Sequence, residues 1–159
     1  MHPDKPASTS TAPSTTPLPR IAWLLGIAGL WPQLACVVLV FDQKTRFMAL
    51  SAGYFYAALI FSFLGGLWWG LAVANPRAPK WLYAAAVVPS LLAFSSGIPW
   101  MIGARWPAPS LVVLAIGLVA ALLVDLRLNK LGIMPVGMLR LRLLLSAGLG
   151  AMTLMLAVL

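Results

Sequence analysis

At 159 residues the chain has the length of one domain, but 62% of its residues are hydrophobic and only 9% are charged, whereas soluble domains carry roughly 25% charged residues. Apolar segments of about 18 or more residues recur, which is typical of a polytopic, all-α membrane protein. The net charge of +8 arises from lysines and arginines that lie singly or in pairs between these segments. This arrangement favours anionic lipid head groups as partners and argues against nucleic acid.

The same composition restricts metal and cofactor chemistry. The chain contains one cysteine, Cys36, one histidine, His2, and three acidic residues. These counts exclude an intrachain disulfide, a bis-histidine haem, a cysteine-ligated iron–sulfur cluster and an ordinary zinc site built from this chain alone. A single carboxylate near a helix end, with no histidine, cannot form a two-group acid–base site. We therefore predict a protein that has no cofactor and is not an enzyme.

The chain divides into a polar segment and an apolar domain. Residues 1–19 are rich in Ser, Thr and Pro and are predicted to form a disordered tail, and residues 20–159 are predicted to form a transmembrane domain of five helices. The first span is expected from about Ile21 to Phe41. Pro32, near its middle, predicts a kink because proline removes one backbone hydrogen bond and crowds the preceding turn.

The second span, from about Met48 to Ala74, carries the feature around which we expect the protein to be organised. Small residues recur there every four positions, a pattern that lets a second membrane helix approach closely. The predicted packing motif comprises Ala58, Ser62, Gly65, Gly66, Gly70 and Ala74. Trp68 and Trp69 are interpreted as packing residues or interface anchors, with ligand stacking as the alternative.

The third span, from about Trp81 to Ala104, is interrupted twice in sequence. Pro89 and Ser90 form the first interruption, and Gly97 to Pro99 the second. Breaks of this type occur at transporter binding sites, but they are also ordinary kinks whose freed carbonyls are met by serine hydroxyls. We favour ordinary kinks and keep a functional role of Pro89 and Ser90 as the alternative.

The last two spans are shorter. The fourth is predicted from about Ser110 to Val124, continuing for a turn or more. The fifth is predicted over Leu143–Leu159, with a start near Met138. Ser146 and Gly150 in the fifth span are a plausible partner for the small-residue row of the second span.

Asp125 is the one carboxylate near a helix end. We expect it to form an ion pair with Arg127 or Arg140 at the membrane interface, and we keep Asp125 and Arg140 as possible functional residues. With five alternating spans, eight of the eleven Lys and Arg residues lie on the side of the tail, the second loop and the fourth loop. The positive-inside rule then predicts an N-in, C-out topology, with the cytoplasm inside if the source is a bacterium.

Several segments carry a resemblance to a known family. They are residues 20–32 (RIAWLLGIAGLWP) and 56–71 (YAALIFSFLGGLWWGL), followed in order by Val88-Pro89-Ser90, Asp125 and Leu139-Arg140. The chain resembles the bacterial membrane proteins of the domain-of-unknown-function 3429 family, which includes the mitochondrial proteins called transmembrane protein 69. The resemblance implies a five-helix inner-membrane protein and leaves its activity open.

Two functions remain as hypotheses. The first is a non-catalytic scaffold, assembly or accessory subunit that acts through helix packing, with a membrane-protein partner or as a homo-oligomer. The second is a transporter or channel for a small or lipidic solute, which predicts a polar-lined cavity between the first three spans.

Overall fold

A computed structural model describes residues 18–104 and 107–159, and within these ranges the chain is helical without strands. The helices are α1 (Arg20–Ala28), α2 (Trp31–Leu39), α3 (Arg46–Ala74), α4 (Trp81–Ser96), α5 (Ile98–Met101), α6 (Ala108–Lys130) and α7 (Met138–Val158). The predicted disordered tail lies outside the described residues, apart from its last two positions.

These helices form five candidate membrane spans of 20 to 29 residues: α1 with α2, α3, α4 with α5, α6, and α7. At about 1.5 Å per residue, each is long enough to cross a hydrocarbon layer about 30 Å thick. The predicted five-helix, all-α architecture is therefore confirmed. The N-in, C-out orientation stays a prediction.

Prolines affect the first and third spans differently. The first span breaks at Gly29 and Leu30, and Pro32 falls in the first turn of α2, where a missing N–H costs no hydrogen bond. In the third span the break at Gly97 is confirmed, whereas α4 continues through Pro89 to Ser96, so a kink at Pro89 stays a prediction. A membrane helix tolerates an internal proline where neighbouring groups pack around it, and Pro89 is buried against α3.

The fourth and fifth spans extend as the sequence suggests. α6 continues past Val124 to Lys130, and α7 begins at Met138. Gly132, at a φ of +67°, ends α6 in the left-handed conformation that glycine adopts at little cost. There the N–H of Ile133 donates to the carbonyl of Leu128 at 3.0 Å.

The helices pack mainly as two pairs, α6 with α7 and α3 with α4, and α3 also contacts α6. α2 joins α3 and α7, whereas α1 packs mainly on α7. A set of leucines, each less than 2% exposed, fills the centre: Leu64, Leu82, Leu111, Leu114, Leu118, Leu128 and Leu156. The predicted pairing of Gly150 with the α3 row is wrong, since the nearest groups to a Cβ built there are Val119 and Ala115 of α6.

Candidate functional site

The most polar part of the interior is a three-residue network, the Trp68–Asp125–Arg142 clamp. Asp125 is completely buried. The indole N–H of Trp68 donates to its Oδ1 at 2.8 Å. Nε of Arg142 donates to its Oδ2 at 2.9 Å, and Nη2 lies 2.9 Å from the same oxygen. The clamp thus joins α3, α6 and α7 through charge-assisted hydrogen bonds.

All three clamp residues lie toward the same end of the bundle. Arg142 is four residues after the start of α7, and Asp125 is five residues before the end of α6, which places both about 6 to 8 Å along their helix axes. Trp68 lies six residues before the end of α3. The clamp therefore lies more than one helical turn inside the helix ends and not at the loops.

The partner predicted for Asp125 is wrong. Arg140 is exposed, and Arg127, also exposed, lies 6.0 Å from the ring centroid of Trp81. Position 142 lies about 200° around the helix from position 140, so only Arg142 faces α6. Trp68 is buried at 3% exposure, which also corrects its interpretation as an interface anchor.

The clamp compensates the buried charge, because the guanidinium neutralises the carboxylate and the indole N–H completes its hydrogen bonding. Hydrogen-bonding groups at the clamp and beside it remain unused, however. Nη2 of Arg142 has no hydrogen bond of good geometry, although it is close to the carboxylate, and Oγ of Ser146 has no partner. Ser146 follows Arg142 by one turn of α7, so unmet hydrogen-bonding capacity collects on one face of that helix.

A second polar contact lies toward the opposite end of the bundle and was missed from sequence. The side-chain amide of Gln33 on α2 donates to Oγ1 of Thr153 on α7 at 3.1 Å, and the Thr153 hydroxyl donates to the carbonyl of Leu149 at 2.7 Å. Oε1 of Gln33 has no partner. An isolated glutamine within an uncharged span is the signal that could have identified this contact, since polar side chains in membrane helices usually hydrogen-bond across to a neighbour.

The predicted packing row does not pack as a unit within the chain. A Cβ added at Gly66 or Gly70 would meet nothing within 4 Å, and Ala74 is exposed. Ala58 is half-buried, and Ser62 shares a 3.0 Å hydrogen bond with Ser90 of α4. As an intramolecular packing motif, the row is therefore wrong at Gly66, Gly70 and Ala74.

Close contacts of α3 occur one position away, at Gly65. A Cβ there would collide with the backbone carbonyl of Ala86 on α4, and Pro89 is adjacent. A Cβ at Gly53 would likewise collide with α7, in this case with the side chain of Leu156. Gly65 is thus the member of the predicted motif that allows two helix backbones to meet.

The remaining candidate residues lie around this contact. Trp69 is 48% exposed and packs edge-on against Tyr83, with ring centroids 5.2 Å apart. Pro89 is buried and Ser90 is bonded to Ser62. Within the described ranges, no three His, Cys, Asp or Glu residues are grouped to hold a metal ion.

Two apolar cavities open along α3. The larger, of about 440 Å³, lies between α1 and α3 with α7 behind it, and we call it the α1–α3 groove. Its polar wall consists of Arg142 and Ser146. The smaller, of about 240 Å³, lies between α3 and the α4–α5 break at Gly97. Neither has the predominantly polar lining that a transport site for a polar solute would need.

The comparisons with known proteins agree with this architecture. A family model described as "Protein of unknown function (DUF3429)" matches residues 18–158. Transmembrane protein 69 of Xenopus tropicalis is 36% identical over 80 residues, which cover 48% of this chain and 32% of that relative. The matched region therefore spans about a third of the relative's length. No solved structure matches. With a family match over nearly its whole length and five membrane-spanning helices, the chain belongs to the DUF3429 family.

Proposed function

We propose that this multi-pass membrane protein is a non-catalytic assembly or accessory subunit that binds a transmembrane helix of another membrane protein. The proposed contact is the glycine face of α3, defined by Gly66 and Gly70. The observation that carries the proposal is that these two glycines, one turn apart, are exposed and have nothing packed on them. Small residues spaced by four are the surface on which membrane helices approach most closely.

The surroundings of the glycine face support a docking surface. Phe63 and Val73 are 67% and 65% exposed, and they lie before and after the two glycines on the same side of α3. Large side chains next to a glycine notch form a ridge and a groove into which a second helix can fit. Trp68 and Gly65, by contrast, are already engaged with α6 and α4.

The chemistry of the interior supports a non-catalytic role. The buried carboxylate of Asp125 accepts hydrogen bonds at both oxygens, so it is not a free acid or base. The usual sign of covalent catalysis is a nucleophile hydrogen-bonded to a base. The side-chain hydrogen bonds of the described residues include no such pair.

A lipidic transport role is the second candidate, and the α1–α3 groove is the observation that favours it. The groove is apolar and lies on a membrane-spanning surface. It suits a hydrocarbon chain better than a water-soluble solute. Transport would require the groove to connect both leaflets during turnover, which flippase measurements in proteoliposomes would detect.

The proposed location is an inner membrane with the N-terminus inside. The clamp, the second loop and the fourth loop share one end of the bundle, and most of the basic residues lie at that end. Reporter fusions at the C-terminus would test this orientation. An alkaline phosphatase fusion should be active and a green fluorescent protein fusion dark, and the opposite pattern would reverse the topology.

The partner-binding proposal is tested by a double substitution, Gly66→Leu with Gly70→Leu. The control places two leucines at exposed alanines elsewhere, Ala120→Leu with Ala151→Leu. Each protein is crosslinked in native membranes, purified and analysed by mass spectrometry, and its thermal stability in detergent is measured. The glycine variant should lose a membrane-protein partner that the control retains, with unchanged stability.

Two results would contradict the proposal. An identical set of partners for the glycine variant and the wild type would show that the face binds nothing. Loss of a homo-oligomer alone would assign the face to self-association and remove the accessory role.

A further inference from the structure

We propose that the α1–α3 groove is a binding site for an anionic glycerophospholipid. One acyl chain would lie in the groove, an ester carbonyl would accept hydrogen bonds from Arg142 and Ser146, and the phosphate would lie near Arg20 and Arg140. The groove shares Phe63 with the edge of the glycine face but contains neither Gly66 nor Gly70, and its test uses none of the variants that test partner binding.

The groove exists because α1 leans on α7 and away from α3. Leu141 and Leu145 of α7 lie 3.1 and 3.3 Å from a Cβ built at Gly26. At the far end of α1, the hydroxyl of Tyr56 on α3 donates to the carbonyl of Gly29, and this bond closes the groove there. The groove therefore lies between α1 and α3, against α7.

The size of the groove fits a single lipid chain. Its volume of about 440 Å³ falls within the range of about 300 to 1,000 Å³ found for small-molecule sites. Along α7 it extends from Met138 to Leu149, which corresponds to about 16 Å at the helical rise. Apart from Arg142 and Ser146 its walls consist of Leu, Ile, Phe, Met, Ala and Gly residues, which suit a hydrocarbon chain.

The polar wall of the groove has hydrogen bonds left to make. Arg142 is 6% exposed and Ser146 is 2% exposed, and both line the groove. Oγ of Ser146 has no hydrogen-bond partner, and Nη2 of Arg142, although it lies 2.9 Å from Oδ2 of Asp125, makes no hydrogen bond of good geometry. A buried donor without a partner is costly, so an acceptor entering the groove beside them would be stabilised. Arg142 is already neutralised by Asp125, which favours a neutral acceptor at this depth, such as an ester carbonyl.

The end of the bundle at which the groove begins carries positive charge. Arg20 and Arg140 lie in the first turns of α1 and α7, the same turns that contribute the groove-lining Ala22 and Met138, although the two arginines themselves do not line the groove. Both arginines are exposed. Among the described residues the salt bridge is between Asp125 and Arg142, so no salt bridge there neutralises Arg20 or Arg140. Basic residues at the edge of a cleft between membrane helices attract anionic lipid head groups. This charge favours phosphatidylglycerol or a similar lipid over a neutral one.

The test measures lipid binding to the purified full chain in detergent by native mass spectrometry. The probes are dioleoylphosphatidylglycerol, dioleoylphosphatidylcholine and ubiquinone, each titrated separately. Wild-type protein should retain phosphatidylglycerol best.

Ser146→Ala should weaken binding by about three- to tenfold, the effect of one lost hydrogen bond. Its matched control is Ser110→Ala, because Ser110 is equally buried and its hydroxyl is also unpaired, but it does not line the groove.

Two further pairs of variants distinguish the position of the acyl chain from the position of the lipid head group. Ala22→Phe fills the groove, whereas Ala28→Phe adds the same ring at an exposed position of α1 outside it. Only the former should reduce lipid binding, by about tenfold or more, since the ring occupies the volume of the chain. Replacing Arg20 and Arg140 with Gln should abolish the preference for phosphatidylglycerol over phosphatidylcholine.

The control for this charge effect is the double replacement of Arg77 and Lys80 with Gln, which removes two exposed cations at the same end of the bundle. The same preference in both double variants would overturn the assignment of the phosphate position. Equal binding of both phospholipids by the wild type would overturn the anionic assignment. Tighter binding of ubiquinone, or a dimer that Ala22→Phe dissociates, would assign the groove to a different occupant.

Discussion

Replacing Arg142 with Met tests whether the clamp holds the bundle together. Met keeps an unbranched side chain of similar length but removes the guanidinium, so the carboxylate of Asp125 loses its only salt-bridge partner in the described structure. Removing one member of a buried pair costs about 3 to 5 kcal/mol, because the other charge stays buried and unpaired. Asp125→Leu should cost a similar amount, since it strands Arg142.

The double variant Arg142→Met with Asp125→Leu should be far more stable than either single one. It removes both buried charges of the clamp, and within the clamp it leaves only the indole N–H of Trp68 without its acceptor. A hydrogen bond between membrane helices contributes about 0.6 kcal/mol on average and at most about 1.7 kcal/mol. The expected cost is therefore about 0.6 to 1.7 kcal/mol, and the coupling energy between the two sites is at least about 4 kcal/mol.

The chain supplies its own reporter for this measurement. Cys36 is the single cysteine, and it is 7% exposed on α2. A thiol-reactive dye therefore follows unfolding as SDS is titrated into the protein in a mild detergent. Arg140→Met is the control and should change stability by less than about 0.5 kcal/mol, since Arg140 is exposed. If the double variant costs the sum of the two single ones, the clamp is not a coupled unit and the reasoning fails.

Three further outcomes can be measured in the same assay. Gly65→Ala should destabilise the protein by about 1 to 3 kcal/mol through overpacking. Gly66→Ala, by contrast, should be neutral or stabilising by up to about 1 kcal/mol through helix propensity. Equal effects of the two substitutions would contradict the burial of Gly65 and the exposure of Gly66. Gln33→Met should cost less than about 1 kcal/mol, because it removes one hydrogen bond to Thr153 but also a buried, unpaired side-chain carbonyl. A loss of stability above about 3 kcal/mol would show that this contact is essential. Gly132→Ala should cost about 1 to 2 kcal/mol, because a side chain strains the left-handed conformation, and an unchanged midpoint would argue against that backbone geometry.

The number and limits of the spans could be predicted from sequence because they depend on local composition. A segment without charges and long enough to cross the membrane must form a helix there to satisfy its backbone. The start of α7 near Met138 is predictable for a different reason: the uncharged segment from Leu143 is short for a membrane span, so the helix is expected to extend past Arg142 and Arg140. The break at Gly97 is also local, since glycine and proline weaken the helix wherever they occur together.

The packing face of α3 was not predictable in this way. Adjacent residues differ by about 100° around a helix, and the tandem Gly65-Gly66 presents a small residue on two faces. Spacing alone selected the row that contains Gly66. In the structure Gly65 meets α4 instead, because the buried row accommodates the large side chains of Phe61 and Trp68 as well as small ones. Only the three-dimensional arrangement of the neighbours distinguishes the two faces.

The partner of Asp125 was missed for a related reason. Arg140 and Arg142 lie on the same helix, and sequence proximity to the loop favoured Arg140 as the interfacial cation. The direction of each side chain around α7 decides the pairing, and it depends on how α7 packs against α6. A buried arginine is unexpected without its carboxylate, since a lone charge inside a membrane is expensive. Asp125 and Arg142 are therefore predictable only as a pair.

The clamp also explains why α3 adopts one rotation and not the alternative. Turning α3 by about 100° would bring Gly66 toward α4, but it would also move Trp68 away from Asp125. The carboxylate would then lose the hydrogen bond that it accepts from the indole N–H, in a setting with no water to replace it. Fixing Trp68 inward leaves Gly66 and Gly70 outward and turns Phe63 toward the α1–α3 groove. The hydrogen bond of Trp68 and the burial of Phe61 and Leu64 on the same face thus together favour the rotation of α3 that leaves its other surfaces free for a partner helix and for a lipid.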